Sequence, residues 1–282
     1  MYAKKSLGQH FLNSAHVLQQ IMDAGRIQHG ENILEIGPGT GVLTTELLKS
    51  GARVIAVEKD IRAQEVLNEK FFAEITSGQL KLIQGDILDE NLSIVKSFYF
   101  QSGAASANSS YALIANIPYY ITGAILEKFL EHAPRPTRMV LLVQKEVAER
   151  IVARPEQSTG KSKESILSIS VKVFGTPKLI AKVPPGAFTP PPTVDSAILS
   201  IENISDKHFK AILEKNPQGI SRFFEIVRAG FAHKRKFLKR NLEAVVTIEK
   251  LNDVWKNLSL DEKVRAEDLT PQDWIKIAQF LL

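Results

Sequence analysis

The sequence predicts an α/β fold, an open and mostly parallel sheet with crossover helices, followed by a small all-helical C-terminal domain. Three observations carry this reading. Short apolar runs alternate with helical patterns through the first half of the chain, as βαβ units require. A glycine-rich turn closes the first of these runs, and the next two end in acids. After Ser205 the strand-like runs stop, and helical periodicity continues to Leu282.

In chain order, the predicted strands are Asn32–Ile36, Arg53–Glu58, Leu80–Gln84, Ala112–Asn116 and Arg138–Val143. Each is a short apolar run of the kind found in a sheet buried on both faces. Between them, Leu43–Lys49, Ile61–Phe72 and Ile125–His132 are amphipathic at helical spacing. Gln101–Ser110 is a Gly/Ser/Ala/Asn tract without apolar pattern and is predicted as an exposed loop, as is the basic stretch Ser158–Ser165. A proline cluster, Pro184-Pro185 and Pro190–Pro192, precedes a further strand-like run, Ser196–Ile201. The domain boundary is expected near residue 204, giving domains 1–204 and 205–282.

Composition narrows the class. Hydrophobic residues at 44% and charged residues at 24% exclude wholesale disorder. The absence of cysteine excludes disulfides, thiolate nucleophiles, Fe–S clusters and Cys-based zinc sites. The histidines lack metal-ligand spacing, so no metal is expected. No apolar run approaches the ~20 residues of a membrane span, and Met1–Leu12 has no apolar signal core, so a cytoplasmic protein is expected.

The charge is localised. The segment Arg228–Arg240 carries six Lys/Arg and no acid; without them, 30 Lys/Arg face 31 Asp/Glu. A basic block on an otherwise neutral chain suits a polyanion, with a solvated helix face as the plain alternative. Read as one helix, Phe224, Val227, Phe231, Leu238 and Leu242 face a small core. Arg228, Arg235 and Lys239 then share another stripe, with Lys236 and Arg240 beside it, ready for a phosphate backbone.

Two sites follow from the strand ends. Gly37, Gly39 and Gly41 form a G-x-G-x-G turn; the third glycine of a dinucleotide fingerprint would fall on Val42. Glu58 ends the second strand 21 residues after Gly37, where a carboxylate accepts from both ribose hydroxyls. Asp86 ends the third, in place for a base's exocyclic amine. The predicted ligand is an adenosine-bearing cofactor. The fourth strand ends in Asn116-Ile117-Pro118-Tyr119. An aromatic amine is a weak nucleophile because its lone pair is delocalised. Acceptors for both amine protons, the Asn116 side-chain oxygen and a backbone carbonyl near Ile117 or Pro118, would localise it, and Tyr119 would stack on the base.

That tetrad resembles the motif of S-adenosylmethionine-dependent methyltransferases acting on exocyclic amines, and the likeness extends along the chain. Lys5–Leu12, Glu35–Gly41, Glu58, Gln84–Asp86, Gln144–Val147 and the string Phe188–Ala197 together are similar to the small-subunit rRNA adenine dimethyltransferases. The resemblance implies a Rossmann-like S-adenosylmethionine-dependent methyltransferase sheet with a helical RNA-binding accessory domain. It implies N6,N6-dimethylation of two adjacent adenines in a hairpin near the 3′ end of small-subunit (16S-type) rRNA, with a role in small-subunit biogenesis. It implies cofactor contacts from His10, Leu12, Gly37, Gly39, Glu58, Asp86 and Asn116, and chemistry at Asn116 and Tyr119 with Phe188 on the adenine's other face. The partner it implies is small-subunit rRNA within a pre-ribosomal particle, bound by a monomer without a membrane. Two positions depart from the pattern: His10 stands where the family commonly has Asn, and Lys161–Ser165 lacks a Tyr-Gly pair. The alternatives are a large-subunit rRNA adenine N6-methyltransferase of the antibiotic-resistance type and a non-catalytic RNA-binding assembly factor. The prolines with Val194-Asp195-Ser196 favour the small-subunit type over the first, and intact Gly37, Glu58, Asp86, Asn116 and Tyr119 argue against the second.

Overall fold

The computed structural model describes residues 9–89, 110–132, 134–153 and 163–282. Residues Lys5–Gly8 of the N-terminal motif, 101–109 of the Gly/Ser/Ala/Asn tract and most of Ser158–Ser165 lie outside them.

The backbone divides into two compact units. One comprises residues 1–148 and 177–204; the other comprises 149–176 and 205–282. One break in this division falls between 204 and 205, and residues 149–176, read from the sequence as part of the first domain, cluster with 205–282.

The first unit is built on a seven-stranded sheet of order β4-β3-β2-β5-β6-β9-β7. Its strands are β2 (Asn32–Ile36), β3 (Arg53–Glu58), β4 (Leu80–Gln84), β5 (Tyr111–Asn116), β6 (Met139–Gln144), β7 (Thr176–Val183) and β9 (Ser196–Glu202). Strands β2 to β6 pair in parallel, and β9 runs antiparallel against β6, Met139 opposite Ile201. Strand order reverses beside β2, whose neighbours are β3 on one side and β5 on the other. In an open α/β sheet a ligand crevice opens at that switch point, outside the carboxyl ends of the strands.

The predicted strands lie where the apolar runs placed them, to within a residue at either end. The central ones, β2, β3, β5 and β6, are buried at all but one end residue each, as strands covered on both faces must be. The helix Thr122–Glu131 buries Thr122, Ile125, Leu126, Phe129 and Leu130, one stripe at helical spacing. Helix Ile61–Lys70 is shorter than the predicted Ile61–Phe72; Phe71 interrupts it, and a separate short helix, Phe72–Thr76, follows. Strand β7 escaped the sequence reading because it is an edge strand, alternating exposed and half-buried residues with lysines at 178 and 182. A two-residue pairing of β1 (Phe11–Leu12) with β8 (Phe188–Thr189) ties the N-terminal segment to the proline string. At the other end of the sheet, Arg138 grips both Glu31 oxygens at 2.7 and 2.8 Å and donates to the Gly25 carbonyl at 2.7 Å. Burial pushes the Glu31 carboxyl up, but Arg138's hydrogen bonds and charge outweigh it and hold the carboxyl below its ordinary value.

The second unit packs its helices around aromatic rings. Phe174 lies 5.1 Å from Phe209, which meets Phe223 edge-on at 5.1 Å; Phe223 in turn meets Phe224 edge-on at 4.9 Å. The long basic helix expected through Arg228–Arg240 is broken in two. Helix Gly219–Gly230 ends at the glycine, and a separate helix, Leu238–Leu242, begins after a turn. The side-chain nitrogen of Asn241 donates to the carbonyls of Gly230 and His233 at 2.6 and 3.1 Å, satisfying groups that a continuing helix would have used. Gly230 itself lies under the Trp274 ring. No described helix is long and apolar enough to cross a membrane.

A Cβ added at Gly230 would stand 2.4 Å from Trp274 and 2.9 Å from Leu238. Gly230→Ala is therefore expected to cost about 1–3 kcal/mol by overpacking, read as a lowered denaturant midpoint. Gly186→Ala, whose Cβ meets nothing within 4 Å, is the control and should be close to neutral.

Candidate functional site

At the carboxyl ends of β2, β3, β4 and β5 lies a crevice whose lining includes Gly37 and Gly39, Glu58, Asp86, and Asn116 with Tyr119. His10 and Leu12 close one side. Eight of the residues predicted for the cofactor and the chemistry therefore meet in one place.

The glycine turn is held from below. Glu58, 5% exposed, accepts the Gly39 N–H at 3.0 Å through one oxygen and the Asp60 N–H at 2.8 Å through the other. Gly37 and Gly39 sit at φ +66° and +57°, which glycine adopts without strain. A Cβ on Gly37 would find only the Asn116 carbonyl, 4.0 Å away, so the space beside that turn belongs to the crevice. Burial pushes the Glu58 carboxyl upward, against the amide bonds that hold it down. Asp86 is held instead by Lys59 at 2.6 Å and the Leu88 N–H at 3.0 Å. Burial raises its carboxyl, but the Lys59 hydrogen bond and charge prevail and lower it.

Asn116 at the tip of β5 donates its side-chain N–H to the His10 carbonyl at 3.1 Å. With the nitrogen committed, the amide's acceptor end, Oδ1, is left at the crevice. The Pro118 carbonyl accepts the Ile121 N–H at 3.2 Å. Tyr119 shares a 2.5 Å hydrogen bond with Ser196, and its ring lies 6.0 Å from His10 at an interplanar angle of 19°. Burial pushes its hydroxyl up, against the Ser196 bond. The His10 ring is oriented by its Nδ1, 2.9 Å from the Pro190 carbonyl, so the histidine at this position is tied to the proline string.

The remaining expected site residues have other surroundings. Phe188, predicted to face Tyr119 across the adenine, is 2% exposed in the hydrophobic core, paired with Leu12 across β1 and β8, and does not line the crevice. Lys239, predicted for phosphate, grips both oxygens of Glu262 at 2.9 and 3.1 Å and lies over the Trp255 ring, and Arg240 pairs with Glu243 at 3.2 Å. Arg228 sits in the last turn of helix Gly219–Gly230, and Arg235 and Lys236 lie on the turn after it. Those last two are exposed and form no ion pair among the described residues.

The sequence reading assigned no role to Glu35 or Ser196, although both stood inside quoted motifs. Glu35 is 1% exposed, lines the crevice floor and accepts from the Thr44 hydroxyl at 2.8 Å. An acid in the middle of an apolar strand was the signal available for it.

Comparison with known proteins supplies the remaining context. The family model described as ribosomal RNA adenine dimethylase matches residues 1–282. "Ribosomal RNA small subunit methyltransferase A" of Dehalococcoides mccartyi is 39% identical, over 98% of this chain and 87% of the relative. The protein of the same name from Thermosynechococcus vestitus is 35% identical, over 99% and 97%. Among solved structures, a dimethyladenosine transferase from Plasmodium falciparum superimposes with a TM-score of 0.74 at 26% identity, covering 95% of this chain and 96% of that one. The 23S rRNA methyltransferase ErmE shares the fold, with a TM-score of 0.67 at 20% identity over 96% and 99%.

Burial pushes the Glu35 carboxyl from its ordinary 4.5 up to about 8, with Thr44 and Lys70 opposing and Glu58 adding repulsion. The folded chain then holds a proton that the unfolded chain releases above pH 4.5, so stability falls as pH rises from 4.5 to about 8. Glu35→Gln keeps an acceptor for Thr44 and cannot ionise. It is expected to match the parent near pH 4.5 and exceed it at pH 8, by on the order of a few kcal/mol. Denaturant midpoints at the two pH values read this directly; parallel pH profiles would show that Glu35 is ionised in the fold.

Proposed function

The chain belongs to the ribosomal RNA adenine dimethylase family, and from that premise we propose that it methylates N6 of two adjacent adenines in a hairpin near the 3′ end of small-subunit rRNA, two methyl groups on each. It is an rRNA adenine dimethyltransferase that uses S-adenosylmethionine. The observation that carries the substrate reading is the orientation of Asn116, whose nitrogen is spent on His10 so that its oxygen faces the reacting position.

The crevice fits the cofactor. The missing Cβ of Gly37 leaves room beside the turn, and Glu58 and Asp86 stand at successive strand tips with a lone pair still to give on each carboxylate oxygen. Ile87 and Leu88 supply an apolar wall for a base. The cofactor supplies a methyl group on a sulfonium, which leaves as a neutral thioether. The chain's part is to hold the amine in line. Asn116 Oδ1 accepts one amine proton. The Ile117 carbonyl is the backbone acceptor we assign for the other, since the Pro118 carbonyl already takes the Ile121 N–H. Tyr119, fixed through Ser196, gives the extruded base a ring to stack on.

The basic segment supports an RNA footprint narrowed to Arg235 and Lys236. Small-subunit precursor particles as the natural substrate, a monomeric enzyme and a cytoplasmic location complete this reading. A localised phosphate-binding patch on a nearly neutral chain suits a structured RNA held at one place.

Incubation with labelled cofactor and unmethylated small-subunit particles, large-subunit rRNA or DNA tests the substrate, with the label expected on adenine of the first alone. Within that assay, Asn116→Ala is expected to lower the methylation rate about 100-fold or more with cofactor affinity nearly unchanged. Glu58→Ala should do the reverse first, weakening cofactor binding by about 3 kcal/mol, two hydrogen bonds to a charged acceptor. A native rate in Asn116→Ala removes the amine-polarising role.

Replacing Arg235 and Lys236 with Gln is expected to weaken particle binding and lower the slope of log affinity against log salt by about 0.7–0.9 per lost contact. Lys239→Gln should change the slope less, because Glu262 already holds that cation. An unaltered slope in the double variant would return the patch to a solvated surface.

A further inference from the structure

We propose that the second unit carries its own pocket for one nucleotide, selective for a base with an exocyclic amine and fed by an RNA strand. The inference rests on rRNA being the substrate, and concerns a position other than the reacting adenine. A cavity of about 350 Å³ lies between the start of the helix Ile166–Lys172, the end of Gly219–Gly230 and residues 265–267. All of it belongs to the second unit.

Two acceptors on residues lining this cavity are buried and unpartnered, Asn241 Oδ1 and Glu164 Oε2, and each residue is only 4% exposed. Their other ends are committed. The Asn241 nitrogen serves the Gly230 and His233 carbonyls, and Glu164 Oε1 accepts from Lys172 at 2.6 Å. Buried acceptors are normally hydrogen-bonded, so this pair asks for a ligand that brings N–H donors. Adenine, cytosine and guanine each offer an exocyclic amine. Uracil offers one N–H between two carbonyls, which would be set against the same acceptors.

The rest of the lining suits a nucleotide. Phe231 presents a ring backed by Trp274, with centroids 5.8 Å apart, for the base to lie against. Lys234 and Lys236 are exposed at the mouth, and Arg265 also lines it. The lining acids Glu164 and Glu267 are already paired with Lys172 and Lys163, which leaves the mouth cationic toward a phosphate. The turn that breaks the basic segment, unexplained by phosphate contacts alone, thereby forms one wall of this pocket.

The test uses the full chain with its crevice saturated by S-adenosylhomocysteine, titrated by calorimetry. The probes are AMP, CMP, GMP and UMP, and the pentanucleotides UUAUU and UUUUU. The amine-bearing mononucleotides are expected to bind saturably, with UMP weaker on the order of tenfold. UUAUU should exceed AMP on the order of tenfold, because flanking phosphates meet Lys234 and Lys236, and should exceed UUUUU. Ile166→Trp fills the cavity from a wall residue that is 37% exposed, and should abolish this binding without altering S-adenosylhomocysteine affinity. As a second variant, Lys234→Gln with Lys236→Gln should weaken UUAUU more than AMP. Absence of saturable binding, equal binding of UMP, or unchanged binding in Ile166→Trp overturns the pocket. AMP binding as tightly as UUAUU overturns the strand and leaves a free nucleotide as the ligand. Methylation of small-subunit particles by the parent chain is measured alongside. Its persistence without pocket binding discards the pocket alone, and its absence discards the substrate reading.

Discussion

Glu58 accepts the Gly39 N–H through one oxygen and the Asp60 N–H through the other, and the crevice takes its shape from those two bonds. The first fixes the glycine turn after β2 against the tip of β3. The second starts the helix Ile61–Lys70, where the Asp60 side chain then caps the first turn through the Arg62 N–H. One side chain thus joins the switch-point turn to the next strand and the next helix. Because it is buried, its remaining lone pairs act in a low dielectric, where an acceptor for ribose hydroxyls is stronger than at a surface. On the proposed function, holding the turn and holding the ligand become the same constraint, met by one carboxylate.

The sheet and the crevice were legible in the sequence for a shared reason. Parallel strands covered on both faces must be continuously apolar, and their carboxyl ends must meet at the switch point, so short apolar runs ending in Gly37, Glu58, Asp86 and Asn116 name both the strands and the site. Elements whose residues serve two environments were illegible. Strand β7 alternates because it is an edge, and the β1–β8 pairing joins two-residue segments 176 positions apart, beyond any local pattern. Phe188 is a related case. Its string marked it as functional, while its neighbours Leu12 and the core cluster decided its burial.

The second unit shows where periodicity misleads. Phe224, Val227, Phe231, Leu238 and Leu242 keep helical spacing, and most of them do face the interior, yet the backbone between Gly230 and Leu238 is not one helix. Spacing reports which residues are inside and is silent on how the chain travels between them. The break is dictated by contacts no local window contains: the Trp274 ring against Gly230, and the Asn241 amide on the freed carbonyls. The same break separates the basic residues. Lys239 and Arg240 fall back on acids of their own unit, while Arg235 and Lys236 remain on the exposed turn.

Methyl transfer from a sulfonium to a neutral amine moves positive charge between heavy atoms and creates no anion, so the site needs no oxyanion donors. Nor does it need a base at the nitrogen, because the methylated adenine amine is acidic enough to lose its proton to water. The groups around the reacting position agree with this. Burial pushes the Tyr119 hydroxyl upward, away from any role as proton acceptor, and Asn116 does not titrate. On the proposed function, what the site supplies is a fixed pair of acceptors, and their number bears on the second transfer. The unmodified amine has two N–H groups for the two acceptors. After one methylation it has one, so one acceptor must lose its partner and the first methyl group must take the place of the proton that left. With the Asn116 nitrogen held on the His10 carbonyl, the side-chain oxygen cannot turn away to make that room. The monomethylated amine must therefore rotate its remaining N–H toward one acceptor and set its methyl group beside the other. Dimethylation by this loop is a question of space next to Asn116 as much as of hydrogen bonding.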